Sequence, residues 1–293
     1  MFRAYSNLRS QRRDAGATVA FLVKLGKRWE IRSVPGGQSG IRCSVAGTEG
    51  KSATETVERN SLSQWTEIAD EIHVWHAWLD REVEALQQLE STLSPDEIAR
   101  ANRFHFAKDK NHYIAGRGLL RALLGRYLGE APASLEFSYG EHGKPSLAGA
   151  NVASGLSFNL SHSGGLAVYA FAKKRNLGID VERIKPDFVS EDIARRYFST
   201  REVNDLLSVP PERRPEAFFH CWTRKEAYLK ARGTGLQIPL NSFSVSLLPG
   251  RPVEFLGGLD SCWHLAAFDP AEGYSAAVVY DGIPERVQTM GSV

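Results

Sequence analysis

Three carboxylates and two lysines fall in two short words of the chain. The first, Gly178-Ile179-Asp180-Val181-Glu182-Arg183, alternates like a β-strand. The second, Trp222-Thr223-Arg224-Lys225-Glu226-Ala227-Tyr228-Leu229-Lys230, reads as a helix. Side chains alternate across a strand, so Leu177, Ile179 and Val181 face one way and Gly178, Asp180 and Glu182 the other. Two carboxylates about 7 Å apart on one face can converge on one cation. On the helix, Glu226 and Lys230 are four apart and share a face with Trp222. Mg²⁺ takes one or two carboxylates together with phosphate oxygens and waters, so the grouping predicts a metal gripping a phosphorylated substrate. Taken singly, the acidic pair is a solvated strand edge, and Glu226–Lys230 a salt bridge of a few tenths of a kcal/mol. The two words together favour chemistry.

Further polar groups could serve such a substrate. Arg117 and Arg121 lie one turn apart beside Gly116 and Gly118, which would let a ligand approach two guanidinium forks suited to phosphate. Gly143-Lys144-Pro145 reads as a rigid loop holding an ammonium in place. Ser161 and His162 read as part of a glycine-containing turn whose backbone N–H groups could meet an anion. Their adjacency does not make a nucleophile–base pair, and no G-x-S-x-G word accompanies it. His105, His142 and His220 lack metal-ligand spacing and read as structural or surface residues.

The elements that must position these groups begin near Glu71. Ile72–Leu79 reads as a first strand, and Ser94-Pro95-Asp96-Glu97 as a capped helix start. Asp109–Leu128 reads as a long helix, 137–147 as a loop, and Leu156–Leu160 and Leu166–Ala172 as paired strands. The pattern recurs. Phe198-Ser199-Thr200-Arg201-Glu202-Val203 echoes Leu93–Ile98, and His220 and Gly233 repeat the spacing of His112 and Gly125. Each half ends in an apolar hairpin, the second at Trp263–Tyr280. This order predicts an α+β fold duplicated into two similar subdomains, 71–176 and 177–285, with a ligand cleft between them. Residues 286–293 are set apart as a C-terminal tail.

The chain has 293 residues, 42% of them hydrophobic, enough for a sizeable core. With 36 basic and 34 acidic residues, it is not composed to coat nucleic acid. Cys43, Cys221 and Cys262 are widely spaced and odd in number, which points to a reducing compartment and a cytoplasmic location. No apolar run has transmembrane length. Residues 1–33 carry eight Arg or Lys against Asp14 and Glu30. Few hydroxylated residues precede Thr18, so 1–70 is expected as a disordered extension rather than an organelle presequence.

The chain resembles the Sfp-like 4′-phosphopantetheinyl transferases. The resemblance rests on six words in order across residues 71–283. They are Arg103-Phe104-His105-Phe106, Gly116-Arg117-Gly118-Leu119-Leu120-Arg121, Gly143-Lys144-Pro145, Phe158-Asn159-Leu160-Ser161-His162-Ser163, and the two words above. It implies a pseudo-dimeric α+β fold with coenzyme A in the cleft. It implies transfer of the 4′-phosphopantetheine arm to a serine of an acyl or peptidyl carrier protein, releasing 3′,5′-ADP. On this resemblance Asp180, Glu182 and Glu226 are the Mg²⁺ ligands, Glu226 is the general base and Lys230 the partner of the diphosphate. Lys144, Ser161, His162, Arg117 and Arg121 hold the 3′-phosphate and adenine end. A monomer is implied, without nucleic-acid or membrane partners. The family's carriers are acidic, so Arg195–Leu207, with Tyr197, Phe198, Leu206 and Leu207, is a candidate docking surface beside the alternative of ordinary helix packing.

Overall fold

The structure is a computed structural model. It describes residues 68, 70–187, 191–233, 238–259 and 262–293, and the backbone of an antiparallel hairpin, β1 (Phe21–Leu25) and β2 (Arg28–Arg32). The expectation of disorder or a presequence over the rest of 1–67 lies outside the described residues.

The first half runs β3 (Glu71–Trp78), α1 (Val83–Glu90), α2 (Pro95–Ala101), α3 (Ala107–Leu128), β4 (Phe137–Tyr139), β5 (Pro145–Leu147), β6 (Leu156–Ser163) and β7 (Leu166–Lys173). The second runs β8 (Leu177–Arg183), α4 (Glu191–Tyr197), α5 (Thr200–Ser208), α6 (Arg214–Arg232), β9 (Ser244–Val245), β10 (Phe255–Gly257), β11 (Trp263–Phe268) and β12 (Tyr274–Asp281). Strand, three helices, short hairpin and long hairpin follow in the same order in both. The antiparallel sheets match as well, β3-β7-β6 in one half and β8-β12-β11 in the other. Residues 286–293, expected as a tail, supply β13 (Arg286–Ser292), which pairs in parallel with β3.

A buried polar motif repeats with the elements. Ser94 caps α2 and Ser199 caps α5, each in a capping box closed by a glutamate, Glu97 or Glu202. Both glutamates are fully buried. Arg121 from α3 meets Glu97 at 2.6 Å and donates to the carbonyls of Pro132 and Leu135. Lys225 from α6 meets Glu202 at 2.8 Å and donates to the carbonyls of Leu240 and Phe243. This match moves the expected register of the long helices by one turn. The left-handed glycine that ends α3 is Gly129, the counterpart of Gly233 after α6, whereas Gly125 lies inside α3. An i,i+4 periodicity hides such a shift, because one turn leaves the apolar face in place.

The cores follow from the layers. One apolar cluster joins α3 to the outer face of the first sheet, including Trp75, Leu120 and Phe171. A second joins α5 and α6 to the outer face of the other sheet. The third lies between the sheets and contains Val74, Val168, Ile179, Val181 and Val278. Strand alternation is the cause: Ile179 and Val181 face the inter-sheet core, while Gly178, Asp180 and Glu182 face α6.

Candidate active site

The carboxylate strand and the carboxylate helix meet backbone to backbone at Gly178. A Cβ there would lie 2.1 Å from the nitrogen of Ala231 and 2.2 Å from the carbonyl oxygen of Ala227. Glycine at this one position lets β8 sit directly on α6.

The edge of β6 lies beside β8 and is joined to it by side chains. Asn159 Oδ1 accepts from the Ile179 N–H at 2.9 Å, and Ser163 Oγ from the Arg183 N–H at 3.2 Å. Ser161 Oγ donates to Asp180 Oδ1 at 2.8 Å, and Ser163 Oγ to Glu182 Oε2 at 2.6 Å. Lys230 Nζ donates to the same Asp180 oxygen at 2.6 Å and to Ser161 Oγ at 2.7 Å. The site is therefore shared: serines from the first half hold carboxylates of the second. Asp180, Glu182, Glu226 and Lys230 are all buried.

Burial and the Asp180 carboxylate push both the Glu226 and the Glu182 carboxyls up to about 8, the second despite the Ser163 hydroxyl. Asp180 Oδ2 and Glu226 Oε1 are buried and make no hydrogen bond. A buried carboxylate oxygen without a partner is costly unless a proton or a cation answers it. Among the described residues, no three His, Cys, Asp or Glu close into a ready metal cage. The donor set is nonetheless what a hard cation such as Mg²⁺ uses, carboxylate oxygens with positions left for phosphate and water. Asp180, Glu182 and Glu226 fit that ion, the two orphaned oxygens foremost.

Several expected ligand-binding residues are engaged elsewhere. Arg121 is fully buried on Glu97 and two carbonyls, and Arg117 bonds Glu97 and the Tyr139 hydroxyl. Glu97 takes both guanidinium groups, so neither presents a free fork to a phosphate. A Cβ on Gly118 would meet Leu89 at 2.6 Å, so α1, not a ligand, occupies the space beside that glycine. Lys144 turns to the end of α6, where its Nζ donates to the carbonyls of Lys230 at 2.7 Å and Leu177 at 3.0 Å. Ser161 and His162 belong to β6 and not to a turn, paired opposite Val168 and Ala167. Their backbone serves the ladder, and the turn is Gly164-Gly165. His162 points to the opposite face from Ser161 and is exposed.

The expected docking apolars Tyr197, Phe198 and Leu206 are buried in the second core, with Phe198 5.0 Å from the Phe218 ring. They pack the helices, while Leu207 of the same segment is half-buried. Sequence reasoning did not single out Asn159 and Ser163, although alternation within Asn159-Leu160-Ser161-His162-Ser163 places both on the face of Ser161.

The duplication identifies the first-half counterpart of the site. Trp78 pairs with Leu166 where Arg183 pairs with Tyr274, so Trp75 corresponds to Asp180. Matching Arg121 to Lys225 puts Ala122 at the place of Glu226 and Arg126 at that of Lys230. Those three line a groove of about 430 Å³ with Leu119, Leu123 and Met290. No Asp or Glu side chain lines it.

A duplicated α+β unit carrying buried carboxylates, serine hydroxyls and a lysine at the seam between its halves defines a class of phosphate-transferring enzyme. Comparison with known proteins makes the class specific. The model of the 4′-phosphopantetheinyl transferase superfamily matches residues 176–279, and that of the 4′-phosphopantetheinyl transferase N-terminal region matches 76–174. These boundaries coincide with the two halves. The 4′-phosphopantetheinyl transferase HetI of a Nostoc strain is 42% identical over 74% of this chain and 90% of its own. The 4′-phosphopantetheinyl transferase Sfp of Bacillus subtilis is 32% identical over 73% of this chain and 95% of its own. The chain belongs to the 4′-phosphopantetheinyl transferase family, enzymes that transfer the phosphopantetheine arm of coenzyme A to a serine of a carrier protein.

Proposed function

We propose that this transferase is Mg²⁺-dependent and that Asp180, Glu182 and Glu226 hold the ion at the diphosphate of coenzyme A. The observation that carries the reading is the pair of buried, unpartnered oxygens on Asp180 and Glu226 beside the Lys230 ammonium. When bound, the ion supplies positive charge to the diphosphate and the leaving phosphate. Lys230 swings from Asp180 onto the diphosphate and stabilises charge developing there. Ser161 then keeps its bond to Asp180 and fixes the carboxylate.

Glu226 is the base for the carrier serine, directly or through a water. The serine oxygen forms a bond to the phosphorus that carries the pantetheine. The bond from that phosphorus to the bridging oxygen breaks, 3′,5′-ADP leaves, and the serine proton passes to Glu226. His162, on the α3 side of β6, takes the 3′-phosphate end. The carrier is acidic, acyl or peptidyl, and the enzyme acts as a cytoplasmic monomer in fatty-acid, polyketide or nonribosomal peptide synthesis. Among the described residues, no helix is long and apolar enough to cross a membrane.

The test is to incubate the protein with coenzyme A, Mg²⁺ and apo carrier proteins and to weigh the carriers. The expected result is a gain of one phosphopantetheine arm that disappears without Mg²⁺. Hydrolysis of coenzyme A with no gain on any carrier would instead mark a metal-dependent phosphodiesterase. Binding without turnover would mark a non-catalytic coenzyme A-binding relative.

A further inference from the structure

We propose that Lys144 is a positioning residue. It fastens the β4–β5 turn of the first half to the last turn of α6 and the first carbonyl of β8, and so fixes Glu226 and Lys230 against Asp180. The proposal departs from the role implied by resemblance, in which Lys144 grips the 3′-phosphate.

The turn is built to deliver this ammonium. Gly143 takes a positive φ of 74° and its N–H donates to the Gly140 carbonyl at 2.8 Å. The Gly140 N–H returns a bond to the Lys144 carbonyl at 3.0 Å, and Pro145 begins the paired strand β5 opposite Tyr139. The backbone of Lys144 is thus held on both sides.

Its side chain lies along Gly233, where a Cβ would be 3.6 Å from Lys144 Cδ. The Nζ reaches the carbonyls of Lys230 at 2.7 Å, Leu177 at 3.0 Å and Ala231 at 3.5 Å. The last carbonyls of a helix have no intrahelical partner, and a cation there also answers the helix dipole. An ammonium has three donors. Two carbonyls take it at hydrogen-bond distance and a third stands at 3.5 Å, which leaves at most one donor for any other acceptor. Burial holds the ammonium down, to about 8, in keeping with its half-buried seat.

The place matters more than the bonds. Leu177 precedes Gly178, where β8 and α6 touch, and Lys230 carries the ammonium on Asp180. Lys144 therefore pins both members of the contact at its open end, from the opposite half of the molecule. A loosened end lets α6 slide on β8 and moves Glu226 and Lys230 together. Misplacement by about 1 Å at a reacting centre costs on the order of a hundredfold in rate.

The inference rests on the transferase reading for its kinetic arm and needs no activity for its other arm. Wild type, Lys144→Met and Lys144→Arg are assayed with coenzyme A and with 3′-dephospho-coenzyme A as donors. Lys144→Met should lower kcat with both donors by one factor, on the order of ten- to a hundredfold, and leave the ratio of the two KM values unchanged. Lys144→Arg, still able to reach two carbonyls, should recover most of the rate. His162→Ala, by contrast, should raise KM for coenzyme A alone. A rise in KM for coenzyme A but not for the dephospho donor in Lys144→Met, or an unchanged kcat, overturns the proposal. If Lys144→Met does not fold, Lys144→Gln, shorter and uncharged, takes its place on the same two readouts. Backbone hydrogen exchange supplies the second arm. Amides of 177–180 and 229–233 should exchange faster in the Lys144 variant than in wild type, and unchanged protection overturns the proposal even in a protein that transfers from neither donor.

Discussion

Gly178→Ala should separate folding from catalysis by geometry alone. The added methyl would stand 2.1 Å from the Ala231 nitrogen, 2.2 Å from the Ala227 oxygen and 2.6 Å from the Lys230 carbonyl carbon. Ordinary contact begins near 3.4 Å, so β8 and α6 must part by more than about 1 Å. Every atom met is backbone, so no side chain can rotate away. The Lys230–Asp180 contact of 2.6 Å spans the same gap and would open with it. Overpacking of this kind costs about 1–3 kcal/mol, or roughly 2–4 °C of melting temperature per kcal/mol in a domain this large. The rate should fall further, by on the order of a hundredfold, because the diphosphate partner and the base move relative to the strand carboxylates. Carrier mass gain per minute gives kcat and a thermal melt gives the stability. A folded Gly178→Ala protein with wild-type kcat would refute the claim that this contact sets the site.

Two further changes probe the buried charges. Glu226→Gln should abolish transfer yet stabilise the metal-free protein at alkaline pH. The native carboxyl titrates near 8 against 4.5 for an unperturbed one, so the native state holds a proton that the unfolded chain has lost. Stability is therefore fully present below pH 4.5 and falls as pH rises through 8. The variant lacks this loss, and metal-free melts at pH 6 and 8.5 should show it ahead of wild type at the higher pH by a few kcal/mol. Lower stability of the variant at pH 8.5 would mean that Glu226 is paired in solution. Lys225→Met leaves Glu202 buried with its two backbone donors, Ser199 and Val245, but no cation. Loss of one partner of a buried pair costs about 3–5 kcal/mol, seen as a lower melting temperature, while kcat of the folded fraction stays near wild type.

The sequence carried the duplication, the strand alternation at Asp180 and Glu182 and the helix face of Glu226, because each depends on local periodicity. It did not carry the fates of the cations. Arg117 and Arg121 look like a phosphate fork at i,i+4 spacing, and nothing local shows that Glu97, a capping residue 20 positions from one and 24 from the other, takes them both. Lys144 is likewise claimed by carbonyls more than thirty residues distant. Ser161 and His162 read as turn residues because glycines follow closely, yet the ladder runs on to Ser163. Gly118 is a further case: a small residue signals close approach, and only the fold says that α1 makes it.

The two halves share their scaffolding but not their chemistry, and the differences include three matched positions. Each half keeps a buried glutamate at the cap and a basic residue from the long helix against it. Those pairs are structural in both, which argues that Arg121, like Lys225, holds the helix in place. At the seam, Asp180, Glu226 and Lys230 stand where the first half has Trp75, Ala122 and Arg126. A carboxylate needs a hydroxyl or a cation when buried, and β6 supplies Ser161 and Ser163 to the strand beside it. The corresponding edge of β3 is instead paired with β13, so a side-chain-bridged seam is replaced there by a backbone ladder. Thr289 and Ser292 of β13 carry hydroxyls, but the ladder is made by backbone groups, and Trp75 and Ala122 at the matched positions call for none. The halves differ in how the outer edge of each inner strand is met: β8 by side chains of β6, Ser161 and Ser163 among them, and β3 by the backbone of β13.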